Sequence, residues 1–286
     1  MIPSPREWIS TEIKKFTDSS ANTLRKWNDE RAWDEPLIGF SNGADPLYKF
    51  YKKDIGDFYI TPFELLSHEY PDRSFEESKI TVVSWILPQT EETKRDHRAE
   101  THFPSERWAR SRILGEQFID RLRQHTVGLL RNEGVEAVAP LLSPLYRAGI
   151  EHEKYTLVSS WSERHAAYAA GLGTFGLSDG LITPKGKAMR AGSVVANLYI
   201  EPTPRPYTSH HAYCLFYMKG TCGKCIERCP IGAITKEGHN KVICSKYNNM
   251  TRKYVQRHFD FDGYGCGFCQ TAVPCESGIP EELRTT

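Results

Sequence analysis

The eight cysteines are the residues of this sequence whose type and spacing most directly predict chemistry. All lie in the last quarter of the chain: Cys214, Cys222, Cys225, Cys229, Cys244, Cys266, Cys269 and Cys275. Two Cys-x2-Cys pairs are among them, and such a pair allows two thiolates to bind one metal centre. Eight thiolates match the ligand demand of two [4Fe–4S] clusters. We therefore predict two [4Fe–4S] clusters bound by cysteine.

The segment TCGKCIERCPIGAI is close to the bacterial ferredoxin run C-x2-C-x2-C-x3-C-P, but position 219, where its first ligand belongs, is Lys219. Cys214 is the only cysteine before Cys222, so we expect it to supply the ligand through a longer loop, which adds little closure entropy. The cysteine before the proline ligates the other cluster in two-cluster ferredoxins. We assign Cys214, Cys222, Cys225 and Cys275 to cluster 1, and Cys229, Cys244, Cys266 and Cys269 to cluster 2. Pro230 is expected to start a helix.

Three other uses of the cysteines are less compatible with the sequence. Two Cys-x2-Cys pairs are also compatible with a zinc site, but zinc explains neither the Cys-Pro-Ile-Gly-Ala-Ile sequence nor the four other cysteines. A disulfide framework is disfavoured in a reducing cytoplasm. A radical-SAM site needs C-x3-C-x2-C, and Cys225-x3-Cys229 lacks the third member.

Composition restricts the class of partner. The 286 residues carry 37 Lys plus Arg against 36 Asp plus Glu, a balance that argues against general affinity for nucleic acid or anionic membranes. The N-terminus lacks a signal-peptide core, and no run approaches the roughly 20 apolar residues of a membrane span. We predict a soluble, cytoplasmic protein.

The apolar pattern predicts the elements that must position the cysteines. Helices are expected at the N-terminus, over 105–132 with Ser105 at its start, and over 162–171 with Ser162 as N-cap. The apolar run 79–88 predicts a strand buried on both faces. Further strands are expected in VEAVAPLL, GLITP and SVVANLYI, whereas 33–56 is interpreted as loop and short elements. The fold class is therefore α/β or α+β: a body over 1–205 and a ferredoxin-like module over 206–286.

GLGTFG, residues 171–176, matches the dinucleotide-binding pattern G-x-G-x-x-G. That pattern needs a preceding strand and a following helix, but here a helix precedes and a strand follows. We interpret the glycines as a helix C-cap and a tight turn.

The stretch SERHAAYAAGLGTFGLSDGLITP, followed by a two-cluster cysteine module, resembles the epoxyqueuosine reductase and reductive dehalogenase superfamily. The resemblance spans roughly residues 105–280. It is carried by Glu163–Arg164, Ala170–Gly173, Leu181–Ile182, Cys222–Pro230 and Tyr264–Cys266.

This resemblance implies a nitroreductase-like body that holds base-off cobalamin near two [4Fe–4S] clusters. Reduced ferredoxin or flavodoxin would donate electrons, and low-valent cobalt would reduce a small organic substrate. In these relatives the cluster closed by the last cysteine, here Cys275, is the one next to the corrinoid.

Three positions depart from the family pattern. Leu157 occupies the position of the family's Asp proton donor, Leu177 that of a basic residue, and Cys275 follows an x5 spacer in place of x3. These departures, with the lack of excess positive charge, argue against tRNA as a substrate. They also leave open a non-catalytic electron carrier or activator for a partner enzyme.

Seven further residues are candidates for the site. His165, Tyr168 and Tyr155 are candidates for proton donation, although each residue type is more often a packing or surface residue. Candidates for binding the corrinoid or substrate are Ser159, Ser160, Glu163 and Arg190. Glu163 is equally well explained as a helix-start residue.

Overall fold

The computed structural model describes residues 4–284. Residues 1–3 of the predicted body and 285–286 of the predicted ferredoxin-like module lie outside the described part. The helices are α1 (Pro5–Thr17), α2 (Pro46–Ile55), α3 (Pro62–Glu69), α4 (Glu91–Arg98), α5 (Glu106–Asn132), α6 (Glu163–Ala169), α7 (Leu215–Lys219), α8 (Lys224–Glu227) and α9 (Lys241–Phe259). The strands are β1 (Leu37–Asn42), β2 (Thr81–Pro88), β3 (Ala137–Val138), β4 (Ala148–His152), β5 (Thr156–Ser159), β6 (Thr174–Phe175), β7 (Leu181–Ile182), β8 (Met189–Ala196), β9 (Ile234–Thr235) and β10 (Gly238–His239).

The central sheet has the strand order β1-β2-β8-β3, and every neighbouring pair is antiparallel. β2 lies inside this sheet and all eight of its residues are buried, which confirms the burial predicted from its continuous apolarity. Val83, Trp85 and Leu87 pack with α1 and α5, whereas Val82 packs with α2, α3 and α6. Helices therefore cover both faces, and the predicted mixed helix-and-sheet class is confirmed.

Helix α5 is the longest element and begins where the sequence predicts. The Ser105 side chain accepts a hydrogen bond from the backbone N–H of Trp108 at 3.3 Å, satisfying one free donor of the first turn. A side chain at Gly115 would place its Cβ 2.5 Å from the ring of Trp33, so only glycine allows α5 to pack this closely. Helix α5 is thereby fixed against the core.

The GLGTFG turn also follows the sequence-based interpretation. Helix α6 ends just before Gly171, which has φ +76°, and β6 pairs with β7 directly after it. A Cβ on Gly171 would lie 2.5 Å from the backbone oxygen of Pro204. The glycines thus serve a tight turn between a helix and a hairpin.

Several local predictions were wrong. Pro230 starts a turn and not a helix, because the chain enters the β9–β10 hairpin four residues later. VEAVAPLL forms only the two-residue β3 followed by a 3-10 turn, whereas the short elements expected in 33–56 are β1 and α2. Helix α9 and the β4–β5 hairpin were not predicted.

The cysteine-rich region packs directly on the body. Lys187 and Ala188 donate backbone hydrogen bonds to the carbonyls of Cys275 (2.9 Å) and Glu276 (3.1 Å). A Cβ on Gly186 would lie 2.0 Å from the Glu276 oxygen, so the two backbones touch. No helix within residues 4–284 has the length and apolarity to cross a membrane.

Candidate functional site

The structure gathers the eight cysteines into the two groups of four assigned from spacing. Cys214, Cys222, Cys225 and Cys275 line one small cavity. Cys229, Cys244, Cys266 and Cys269 line a second cavity of about 170 Å³. All eight thiols are free. We call these group 1 and group 2.

Group 1 owes its arrangement to the segment that replaces the missing cysteine. Residues 215–219 form α7, and Gly220 then adopts φ +65°, which turns the chain back towards Cys222. Cys214 lies at the start of α7 and Cys225 lies inside α8. The extra residues are therefore one helical turn and a glycine cap, not an open loop.

Burial disfavours the charged form of these thiols as free groups, and their grouping in fours suits them as metal ligands. Burial raises the pKa of Cys225 and of Cys244 to about 11, and of Cys266 to about 12, with neighbouring thiolates adding to the effect. Four sulfur donors around each cavity are the donor set of a [4Fe–4S] cluster. The residues present fit two such clusters by the chemistry of their donors.

Polar atoms in the group 2 cavity give a second test of this fit. Ser178 Oγ, Asn248 Oδ1 and Gln270 Oε1 are buried there without a hydrogen-bond partner. Buried polar atoms normally have partners, so these side chains have the capacity to contact a bound group. Within residues 4–284, no three or more Cys, His, Asp or Glu side chains lie close enough to share one metal ion.

A third cavity of about 280 Å³, the central cavity, adjoins both groups. Lys187 lines this cavity and the group 1 cavity. Arg164, Arg190 and Gln270 line it together with the group 2 cavity. A molecule in the central cavity would therefore be separated from each cysteine group by single side chains.

A buried carboxylate forms one wall of the central cavity. Glu163 Oε1 accepts hydrogen bonds from Arg123 Nε (3.2 Å) and Nη2 (3.0 Å), and Glu163 Oε2 contacts the Ser193 hydroxyl and the indole N–H of Trp161 (3.4 Å). Arg123 also pairs with Asp120 at 2.6 Å. Burial raises the pKa of Glu163, but four donors hold its oxygens as acceptors.

Two cations link the cavity to the cysteines. Lys187 is only 3% exposed and forms no ion pair with a carboxylate in the described part of the chain. Burial alone disfavours its ammonium, but nearby thiolates, Cys275 and Cys269 foremost, outweigh that effect and raise the pKa of Lys187. Burial and the charge of Arg112 lower the pKa of Arg190 to about 10, so it remains cationic at neutral pH.

Three of the four candidates for cofactor or substrate binding line the central cavity, and the fourth does not. Ser159, Glu163 and Arg190 all line the central cavity. Ser160 is not among its lining residues: its hydroxyl accepts from the N–H of Arg147 (2.8 Å) and donates to the carbonyl of Leu145 (3.1 Å). Ser160 thus fixes the start of the β4–β5 hairpin.

The three candidate proton donors lie outside the central cavity. His165 contacts Ser162 at 2.7 Å and packs against Tyr51, and burial lowers its pKa to about 3. Tyr168 packs on Phe175. The Tyr155 hydroxyl is hydrogen-bonded to Asp54.

Sequence reasoning missed several residues of the central cavity, among them Arg123, Tyr146 and Lys187. In the sequence, Arg123 and Lys187 resemble ordinary surface cations, and Tyr146 lies in a segment without a regular spacing of apolar residues. The only available signal was the position of Arg123, because it falls on the apolar face of α5 at four-residue steps from Ile119 and Val127.

The central cavity does not fit the cobalamin implied by the resemblance. Its volume of about 280 Å³ is slightly below that of cavities that enclose a drug-sized molecule, about 300–1,000 Å³. A corrin with its side chains is larger than such a molecule. We therefore assign no step to cobalamin.

No family model matches the chain. An epoxyqueuosine reductase of Bacillus anthracis is 30% identical over 124 residues, covering 41% of this chain and 30% of that protein. One of Staphylococcus aureus is 30% identical over 127 residues, covering 42% and 31%. The matched segment is less than one third of the length of these curated relatives.

Solved structures extend the likeness to the whole fold. A selenomethionine-labelled epoxyqueuosine reductase aligns with a TM-score of 0.51 and 19% identity, over 98% of this chain and 67% of that one. An epoxyqueuosine reductase with an epoxyqueuosine-modified tRNA stem loop aligns with a TM-score of 0.50 and 17% identity over the same shares. The chain is thus similar in sequence to part of the epoxyqueuosine reductases and shares their fold.

Proposed function

We propose that this protein is an iron–sulfur oxidoreductase that reduces a small organic anion in the central cavity. Group 1 and group 2 would each hold one [4Fe–4S] cluster, which supplies electrons one at a time when bound. Reduced ferredoxin or flavodoxin is the expected source of those electrons. The observation that carries the proposal is the central cavity, whose walls are shared with both cysteine groups.

The charges around the cavity support an anionic substrate. Arg164, Lys187 and Arg190 line the cavity. Among residues 4–284, the shortest distance from these three cations to a carboxylate is the 4.0 Å between Arg190 and Glu116. Glu163, by contrast, is neutralised by Arg123 at 3.0 Å. A carboxylate or phosphate group would gain charge-assisted hydrogen bonds from these cations.

Two-electron reduction of a multiple bond consumes two protons, and two residues of the cavity carry protons at neutral pH. Burial raises the pKa of Tyr146, so its hydroxyl stays protonated. The Lys187 ammonium would be kept charged by the neighbouring cysteines once these are thiolate ligands of a cluster. Tyr146 and Lys187 are therefore our proposed proton donors, in place of a residue at the Leu157 position.

A non-catalytic electron carrier or activator is the second candidate. The cavity is too small for the expected corrinoid, and the family's Asp proton donor is replaced by Leu157. In this alternative the two clusters relay electrons to the cofactor of a partner enzyme.

Anaerobic reconstitution with iron, sulfide and hydroxocobalamin, followed by desalting, tests the proposal. We expect about eight iron atoms per chain, visible absorption that bleaches on reduction, and cobalt well below one per chain. Retention of stoichiometric cobalt would mean that the cavity opens to take a corrinoid. A colourless protein that contains only zinc would refute the iron–sulfur assignment.

The substrate class has its own test. Benzoate, a small planar anion, should bind the reconstituted protein in isothermal titration calorimetry, and Arg190→Gln should weaken that binding about tenfold, the loss of one charge-assisted pair. Lys79→Gln, an exposed cation of the body, is the matched control. Equal affinities of both variants would exclude Arg190 from anion binding, and no binding by any form would favour the electron carrier.

A further inference from the structure

Helix α9 carries a ligand of group 2 on one face and an unusual exposed surface on the other. Its 19 residues contain five Lys or Arg and no Asp or Glu, in a chain whose net charge is +1. Cys244, Thr251 and Val255 lie towards the protein, and Thr251 accepts a hydrogen bond from the Gly265 N–H at 3.0 Å. The positive charge is therefore concentrated on the solvent side.

Five residues at alternating steps of three and four form one stripe on that side: Ile243, Lys246, Met250, Lys253 and Arg257. We call them the α9 stripe; at 1.5 Å per residue it is about 21 Å long. Met250 is 69% exposed and Ile243 is 42% exposed. Neighbouring Val242 adds a third exposed apolar side chain.

The cations of the stripe have no ion-pair partner in the described part of the chain. The other two cations of α9 are paired, Lys241 with Asp179 at 3.4 Å and Arg252 with Asp262 at 2.6 Å. Lys246, Lys253 and Arg257 have no carboxylate within 4.0 Å among residues 4–284. Three free charges and two apolar side chains on one helix face are thus available to another molecule.

We propose that the α9 stripe is the docking surface for an acidic electron-carrier protein that reduces the group 2 cluster; this rests on the proposed function. Cys244 follows Ile243 directly, so a carrier on the stripe lies against the helix that supplies a cluster ligand. One electron would leave the carrier and enter the cluster, and no bond would form. The cations would steer the encounter, while Met250 and Ile243 would form its apolar centre.

The stripe favours a protein over RNA. Transient redox complexes bury less than about 1,200 Å², which suits a single helix face. RNA is bound through phosphates together with stacking on aromatic side chains, whereas the exposed centre of this stripe is aliphatic. Electrostatic steering by three cations also explains how a chain of nearly zero net charge would attract an acidic partner quickly.

Stopped-flow reduction of the reconstituted protein by a reduced acidic ferredoxin tests the inference. The variant K246E/K253E/R257E should lower the second-order rate constant at low salt by at least about tenfold, and the difference should shrink as salt is added. Met250→Gln should lower the rate less and leave the salt dependence unchanged. The control R25E/K53E/K79E reverses three exposed cations of the body and should react like the wild type.

Photoreduction by deazariboflavin, a small neutral reductant, separates the possible failures. The triple variant should keep its iron content and its rate with this reductant. An unchanged rate with ferredoxin would overturn the docking surface while the proposed function stands. Absence of clusters in the wild type would overturn both. Loss of binding to a stem-loop RNA, with the ferredoxin rate unchanged, would assign the stripe to nucleic acid and overturn the proposal.

Discussion

Removing the Glu163 carboxylate should destabilise the protein far more than removing its neighbour Glu116. Both oxygens of Glu163 accept hydrogen bonds, and its partner Arg123 is only 1% exposed. Glu116 lies 3.9 Å from the same guanidinium but is 36% exposed. The two substitutions therefore compare a buried and a solvent-screened partner of one cation.

The expected magnitude follows from what remains around Arg123. Breaking a buried ion pair by removing one partner costs about 3–5 kcal/mol. Asp120, which is 46% exposed, remains 2.6 Å from Arg123 in the variant. We therefore expect Glu163→Ala to lower the free energy of unfolding by the smaller value of this range, about 3 kcal/mol. Glu163→Gln retains an acceptor oxygen and should cost about 1.5 kcal/mol. Glu116→Gln should cost less than about 1 kcal/mol.

Urea unfolding followed by circular dichroism gives these values, provided that the slope with denaturant is unchanged. The double variant Arg123→Met with Glu163→Gln should lose less than the sum of the two single variants, because it leaves neither charge buried alone. If Glu163→Ala lost no more stability than Glu116→Gln, the carboxylate would not be the counter-charge that holds Arg123 in the cavity wall.

Three further predictions concern the cysteine groups and acid stability. Cys214→Ala should lower iron to about half if cluster 1 is lost entirely; full retention of two clusters by Mössbauer spectroscopy would reject the assignment of this ligand. Lys187→Met should make the midpoint potential of one cluster more negative by on the order of 60 mV, equivalent to about 1.4 kcal/mol for one electron. An EPR-monitored redox titration measures this potential, and an unshifted value would exclude direct contact between Lys187 and the cluster. The pKa of His165 is about 3 in the folded protein against 6.5 unfolded, so its contribution is present above pH 6.5 and is lost as pH falls towards 3. Between pH 6.5 and 5 the wild type should lose about 1.6 kcal/mol more stability than His165→Phe. Equal losses would show that the imidazole is not held neutral.

The elements that could be predicted are those with a clear local sequence pattern. Ser105 and the apolar period fixed the start of α5, and the proline-terminated run fixed β2. Helix α9 was missed because only Thr251 and Val255 of its 19 residues are buried, which leaves no apolar stripe to detect. The β1 strand was missed because Pro36 and Gly39 suggested a loop, although Gly39 is needed where a Cβ would meet the Ala170 oxygen at 2.4 Å.

The candidate site also has a part that local sequence motifs predict and a part that depends on tertiary structure. Cysteine spacing predicted two groups of four because each Cys-x2-Cys pair is a local motif, and the structure brings those same residues together; their role as ligands stays a prediction. The cavity wall could not be predicted, because Arg123 and Glu163 are 40 positions apart and belong to helices on opposite faces of the sheet. Lys187 is buried only because the hairpin around Gly186 meets the loop of Cys275.

That contact between Gly186 and Glu276 also limits how the chain can be divided for expression. The backbone carbonyls of Cys275 and Glu276 take their hydrogen bonds from Lys187 and Ala188, which precede the proposed boundary at residue 205. A fragment that begins at residue 206 would contain all eight cysteines but would lose the partners that hold its last thiol in place. The cysteine-rich region expressed alone should thus assemble its clusters less readily than a free-standing ferredoxin, because residues of the body line both cavities.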